Sequence, residues 1–433
     1  MDQPYAPVAS LWAAQAPPKT PASCLETAIE VDVAIVGGGY SGLSAAHYLV
    51  ERRVRPVVLE ARTVGWGASG RNGGVVSAKF RVPYSTIARE HDLDMARLMH
   101  RLSHEAVDRV ESLIDQWGID AADFQRAGNL SCAHNDRSLA RITADAQWQA
   151  QALGDRHLDV LSAARVAEET GSKAFVGGVL AGDVGRLRPL AYAQGLAAGL
   201  QCLGNDLLFE NSPVTWIERT GAGVVLHTPA GSVRAKQVIL ASNGYSAITP
   251  ATDHLKRSVV PFRSAIIATE PLPAGLDEKL LANNRSYGET RRMMRWFRKV
   301  DNRFIFGGRG AFGREDSNAA FNALQKAMVQ LFPDLAGVAI DYRWSGHVAM
   351  TLDKFPHVGR VDDRTCCCLG YNGAGVALST LLGRHAGAFA LGEQPNVGLL
   401  AADRLKQIPF YPLRELGIRS VAGWYQLLDA VGL

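Results

Sequence analysis

The sequence lacks any apolar run approaching the roughly 18 residues of a membrane-spanning helix, so we expect no membrane span. Its first residues, Met1–Tyr5, lack the basic and apolar segments of a secretory leader. Cysteine is scarce: six in 433 residues do not make a disulfide framework. Cys366, Cys367 and Cys368 are consecutive, without the paired spacing of a metal centre, and read as a buried strand; we expect no metal site. Charge of one sign is also scarce. Lys plus Arg number 46 against 42 Asp plus Glu, a net charge of +4, too weak to argue for nucleic acid. These absences point to a reducing, cytoplasmic compartment. What remains is ordinary for a globular chain: 47% hydrophobic and 20% charged, long enough for two domains.

The chain is organised around Val31-Asp32-Val33-Ala34-Ile35-Val36-Gly37-Gly38-Gly39-Tyr40-Ser41-Gly42. The apolar run suits a strand buried on both faces of a parallel sheet. Gly37, Gly39 and Gly42 complete G-x-G-x-x-G, and Leu43–Leu49 continues as a helix. The first glycine permits the turn, the second lets a pyrophosphate approach, and the third lets helix pack on strand. Tyr40 and Ser41 occupy the helix start, where N–H groups and the dipole favour anions. A second strand, Pro56–Leu59, ends in Glu60, about 20 residues past the glycines, where an acid meets ribose hydroxyls. Ala61 and Arg62 follow it. This is a dinucleotide-binding unit.

Next come Gly65–Gly74, with five glycines in ten residues. This is a loop able to lie close against a flat ligand. Helices are expected from about Leu93 to Trp117, capped by Asp92 or Asp94 and ended by Gly118, from Asp136 to Leu153, and from Pro189 to Leu203. Val238–Gly244 reads as a strand and turn. Arg291–Lys299 and Arg303–Phe306 read as a hairpin, and Ala319–Phe332 as a helix. Cys366–Leu369, the turn Gly370-Tyr371-Asn372-Gly373-Ala374-Gly375 and a helix from Val376 repeat the strand–glycine–helix device. A dinucleotide carrying a large ring system has use for both turns. The fold class expected is α/β: a Rossmann-like cofactor domain with an interleaved antiparallel-sheet α+β substrate domain. The expected segments are an arm over 1–30, a cofactor domain over 31–82, 157–250 and 341–395, a substrate domain over 83–156 and 251–340, and a tail over 396–433.

Gly37–Leu43, Gly67-Ala68-Ser69-Gly70-Arg71-Asn72-Gly73-Gly74 and Gly370–Gly375 resemble the D-amino-acid oxidase-like FAD-dependent oxidoreductases. Asp341–Gly346 and Ile408–Pro412 look most like the gamma-glutamylputrescine oxidoreductase branch. The resemblance implies FAD, with Glu60 on the adenosine ribose, Val214 near the adenine and the Gly67–Gly74 loop near the flavin. Gly244 joins that cofactor set, and Gly373, Ala374, Gly375 and Val376 face the pyrimidine end. It implies hydride transfer from an amine-bearing carbon to flavin N5, imine hydrolysis, and electrons passing to oxygen or another acceptor. Related sarcosine oxidases attach flavin to a cysteine where His347–Leu352 stands, so noncovalent FAD is expected. They hold the substrate carboxylate with a lysine where Ala377 stands, and carry a lysine over the flavin where Phe304–Phe306 has none. Ala374 replaces the histidine frequent in the branch.

His347, Tyr371, Trp296 and Arg71 are the candidates for the catalytic site: a proton acceptor, two aromatic walls and a basic group beside the flavin. The Arg-rich stretch around Trp296 and Phe297 alternates as a strand with one solvated face and one on the core or site roof. The leading expectation is oxidation of a small amine, such as a gamma-glutamylated polyamine. The alternatives are an oxidase or dehydrogenase of N-methyl or D-amino acids, a flavin-dependent RNA base-modifying enzyme, and a flavoprotein without turnover.

Overall fold

The run Val31–Val36 ends a strand, Ala28–Val36, buried where it meets the glycines. In the computed structural model, which describes residues 9–309 and 318–430, this strand lies inside a mostly parallel sheet. The order is His357–Arg360, Thr365–Leu369, Ser232–Leu240, Ala28–Val36, Pro56–Leu59, Leu208–Phe209. Only the edge strand His357–Arg360 runs antiparallel along this path. Val36 pairs with both Leu59 and Leu240. The turns that follow these three residues therefore open at one end of the sheet, where α/β proteins bind ligands.

Alternate residues of Ala28–Val36 serve two cores. Val33 and Ile35 meet the helices Tyr40–Glu51, Leu93–Trp117, Pro189–Leu203 and Gly375–Ala390. Ala34 and Val36 pack with Val224, Leu226 and Leu369 on the other side. Asp92 caps Leu93–Trp117 by accepting the Met95 N–H at 2.6 Å, and Gly118 ends it in the left-handed region. The apolar stripe of that helix, including Leu102, Val107 and Val110, packs on the cofactor-side helices, although the segment was expected in the substrate domain.

A second sheet runs Ile340–Met350, Val260–Pro271, Arg303–Arg309, Arg295–Val300, Ser286–Glu289, Asn129–Ala133, Gly177–Ala181, Leu158–Ser162. Three of these strands fall in segments expected in the cofactor domain: Leu158–Ser162, Gly177–Ala181 and Ile340–Met350. The segment boundaries shift accordingly. Their strand patterns are real, but the sheet a strand joins is decided by long-range pairing, such as Phe262 with Val348. The N-terminal arm is not wholly extended. Ser10 caps a short helix, Leu11–Gln15, and Trp12 is buried, donating from Nε1 to the Asn72 carbonyl at 2.8 Å. The last segment carries a helix, Arg414–Ala430, with Leu416, Val421 and Trp424 exposed.

Candidate active site

A cavity of about 630 Å³ lies between the glycine-turn end of the first sheet and one face of the second. Gly37, Gly39, Tyr40 and Ser41 line it, as do Glu60, Ala61 and Val214. So do Gly67, Ala68, Ser69, Asn72 and Gly73, and across from them Gly373, Ala374, Gly375 and Val376. Neither N-cap residue, Gly39 or Ala374, supplies a side-chain cap, but Ser69 Oγ from the glycine loop accepts the Tyr40 N–H at 3.1 Å. The remaining N-terminal donors of the two helices open on one cavity.

The Glu60 carboxylate is anchored before it meets any ligand. Its Oε2 accepts the Gly38 N–H at 2.7 Å and its Oε1 the Arg62 N–H at 2.8 Å. Burial pushes the carboxyl up, against the pull of these two donors. The Gly67–Gly74 loop is organised by Asn72: its Nδ2 donates to the Ala68 and Ser69 carbonyls at 3.1 Å, and its Oδ1 accepts the Gly74 N–H at 2.8 Å. The Tyr40 hydroxyl donates to the Ser69 carbonyl at 2.6 Å, so the first helix and this loop are joined.

Arg298 was expected on an alternating, partly solvated strand, yet it is fully buried. Its Nη1 donates to the carbonyls of Gly73 at 3.1 Å and Leu187 at 2.8 Å, fixing the loop from behind. Burial lowers its pKa to about 9. Trp296 lines the cavity and lies against Gly73, where an added Cβ would sit 2.4 Å from the indole. Gly307, its cross-strand partner, clears the same ring: a Cβ there would be 2.2 Å away. Phe297 does not share this wall. Adjacent strand residues point to opposite faces, and Phe297 stacks with Tyr287, Phe304 and Phe306 in the second core.

His347 lines the cavity beside Tyr245, whose hydroxyl accepts the His347 N–H at 3.1 Å. Tyr371 also lines it, but its hydroxyl lies 2.6 Å from Ser41 Oγ and is buried. That contact bridges the two glycine turns. Five expected site residues stand outside the lining. Gly42 packs helix on strand, since a Cβ there would meet the Gly37 carbonyl oxygen at 1.9 Å. Arg62 gives its backbone N–H to Glu60. Arg71 lies over the Trp66 ring at 4.4 Å and donates from Nε to the Trp66 carbonyl at 2.7 Å, so it braces the loop. Gly74 turns in the left-handed region beside Leu187. Gly244 backs onto His347 and Ala349.

Other lining residues escaped the sequence reading. Glu289 is buried at the cavity wall and paired with Arg291 and, at 3.4 Å, with Arg295. Burial pushes its carboxyl up, opposed by the two guanidinium groups. A lone acid inside a run of arginines was the available signal. Arg141, Arg291 and Arg292 also line this wall, while Ala377 is buried in the first core. Ser379 lines the cavity with a buried Oγ that has no partner among the described residues.

These features fit FAD: an anchored acid at the second strand end, two helix starts, a glycine loop and an unpartnered buried hydroxyl. Glu60 would hold the ribose, the two helix starts the charged and polar groups between, and the Gly67–Gly74 loop the ring system. Residues 32–388 match the family described as FAD dependent oxidoreductase. Over 432 residues the chain is 33% identical to gamma-glutamylputrescine oxidoreductase of Escherichia coli (strain K12), covering 98% of this chain and 99% of that one. It is similar in fold to glycine oxidase from Geobacillus kaustophilus, with a TM-score of 0.71 and 22% identity over 88% of this chain and 99% of that one. It is also similar to L-proline dehydrogenase from P. horikoshii, with a TM-score of 0.70 and 17% identity over 87% and 95% of the two chains. The chain belongs to the D-amino-acid oxidase-type family of FAD-dependent oxidoreductases, and is an FAD-dependent enzyme.

Proposed function

We propose that this enzyme oxidises the C–N bond of a small amine whose carboxylate, as in a gamma-glutamylated diamine, lies far from the oxidised carbon. FAD, when bound, supplies the two-electron acceptor, and oxygen or another acceptor takes the electrons onward. The observation that carries the reading is the placement of charge. Arg141, Arg291 and Arg292 line the wall on the side of the second sheet, whereas the helix beginning at Gly375 offers only the buried Ala377 where relatives use a lysine. A carboxylate is costly to desolvate without a cation, so it belongs at the arginine wall. Trp296 would give the aliphatic stem a flat apolar face. Overall the substrate loses two electrons and two protons, and water hydrolyses the resulting imine to a carbonyl compound and ammonia, or an amine where the nitrogen carries a substituent. The full-length likeness to the E. coli gamma-glutamylputrescine oxidoreductase supports the same substrate class.

The test is anaerobic flavin bleaching with gamma-glutamylputrescine, putrescine, sarcosine and a D-amino-acid mixture. The glutamylated amine should reduce the flavin fastest. Fastest reduction by sarcosine or the amino acids would favour the alternative of N-methyl or D-amino-acid oxidation, and no reduction by any amine would remove the amine reading.

A further inference from the structure

The long helix Leu93–Trp117 places His100 and His104 four residues apart, on one face, with ring centroids 4.3 Å apart. Asp155, buried and just beyond the helix Asp136–Ala152, turns its carboxylate toward them. His100 Nε2 lies 3.1 Å from Asp155 Oδ2, and His104 Nε2 lies 4.0 Å from the same oxygen. One ligand atom from each of the three residues falls within 4.8 Å of the others. Tetrahedral zinc, with bonds near 2.0–2.1 Å, needs ligand atoms about 3.4 Å apart. Small side-chain rotations close that difference.

The surrounding hydrogen bonds match what metal ligands require. His104 Nδ1 lies 2.7 Å from Asp183 Oδ2, so that nitrogen donates to the carboxylate and Nε2 is directed at the cluster. A carboxylate behind a ligating imidazole orients it and raises its basicity. Asp155 Oδ1 accepts the His157 N–H at 2.9 Å, which leaves Oδ2 for the centre.

We propose that His100, His104 and Asp155 bind one divalent transition cation of the zinc class, with Asp183 as the outer carboxylate. Two imidazoles and one carboxylate suit Zn²⁺, Co²⁺ or Ni²⁺ and not the all-oxygen coordination of Ca²⁺ or Mg²⁺. No sequence spacing announces the set, because its members lie at 100, 104, 155 and 183. None of them lines the cofactor cavity. The ion would act as a clip joining the long helix to the turns at Asp155 and Asp183. Burial opposes charge on His104, but Asp183 and the field of Asp155 and Asp108 outweigh it and hold the imidazole above its usual range. Protons therefore compete with the metal, and affinity falls on acidification.

The experiment uses the flavin-loaded enzyme, freed of metal by chelator and titrated with Zn²⁺ by calorimetry. Co²⁺ is titrated in parallel by its visible bands at wavelengths beyond the flavin absorption. One ion per chain should bind, and the melting temperature should rise with zinc. His104→Gln and Asp155→Asn should weaken binding at least about 100-fold, and Asp183→Asn roughly 10–100-fold. His91→Gln, at an exposed histidine outside the cluster, should change nothing. Flavin retention reports the folding of each variant. If a ligand variant loses its flavin, the wild-type cobalt spectrum decides: imidazole–carboxylate bands support the site and their absence overturns it. No stoichiometric ion in the wild type, or wild-type affinity in both ligand variants, also overturns it.

Discussion

Replacing Glu60 by alanine should weaken FAD binding by an amount that follows from its contacts. The carboxylate accepts the Gly38 and Arg62 N–H groups at 2.7 and 2.8 Å. A buried donor left unsatisfied costs about 1–3 kcal/mol, so two orphaned N–H groups cost about 2–6 kcal/mol. Part of this is offset, because burial pushes the Glu60 carboxyl up and its charged form is itself disfavoured there. The orphaned donors weaken the apoprotein, whereas the lost hydrogen bonds from the ribose weaken FAD binding. Loss of those charge-assisted bonds, about 1.5–3 kcal/mol, corresponds to roughly 10–150-fold in the FAD Kd. Fluorescence titration of apoprotein with FAD measures it. Melting of the apoprotein, run alongside, separates loosening of the Gly38 turn from loss of the ribose contact. Unchanged FAD affinity in both Glu60→Ala and Glu60→Gln would refute the assignment of this acid to the ribose.

Three further outcomes are expected. Gly73→Ala would press a methyl into the Trp296 indole and should cost about 1–3 kcal/mol of stability; the added change Trp296→Phe should recover part of it, and an unaltered melting temperature would count against the packing described. Acid precipitation should release FAD into the supernatant, since none of the described cysteines lines the cavity; flavin left in the pellet would disprove noncovalent binding. With chelator present, the stability gap between wild type and His104→Gln should be greatest at mildly acidic pH: His104 is held above 6.5, so its contribution is lost as pH rises through its folded value, and Asp183, held below 3.8 by His104, loses its share as pH falls through its own. A pH-independent gap would show that the pair is not ionic.

Local chemistry was legible and pairing was not. The turn Gly37–Gly42, the acid after Leu59, the Asp92 cap and the hairpin turning at Asp301-Asn302 each depend on a few consecutive residues. The placement of Leu158–Ser162, Gly177–Ala181 and Ile340–Met350 depends on partners far along the chain. Arg298 looked like a surface residue because nothing nearby in sequence shows the loop carbonyls that receive it. Strand parity did hold a readable correction. Trp296 and Phe297 are adjacent, so one of them had to leave the cavity wall.

The proton that the amine must lose sets a last constraint. Tyr371 is a poor acceptor: burial holds its hydroxyl well above the ordinary value, and that hydroxyl is already engaged with Ser41. An amine that binds already neutral needs no strong base. The arginine wall favours that state, because positive charge near an ammonium disfavours it. Arg291 pairs with Glu289 in the native site, so Arg291→Gln would remove one positive charge and leave Glu289 to Arg295 alone. That change stabilises bound ammonium. The acid limb of the kcat profile, which reports groups in the bound complex, should therefore move to higher pH in this variant, with kcat at high pH less affected than kcat near neutrality. A limb that stays in place would mean that the wall does not set the protonation state of the amine, and that His347 or solvent takes the proton instead.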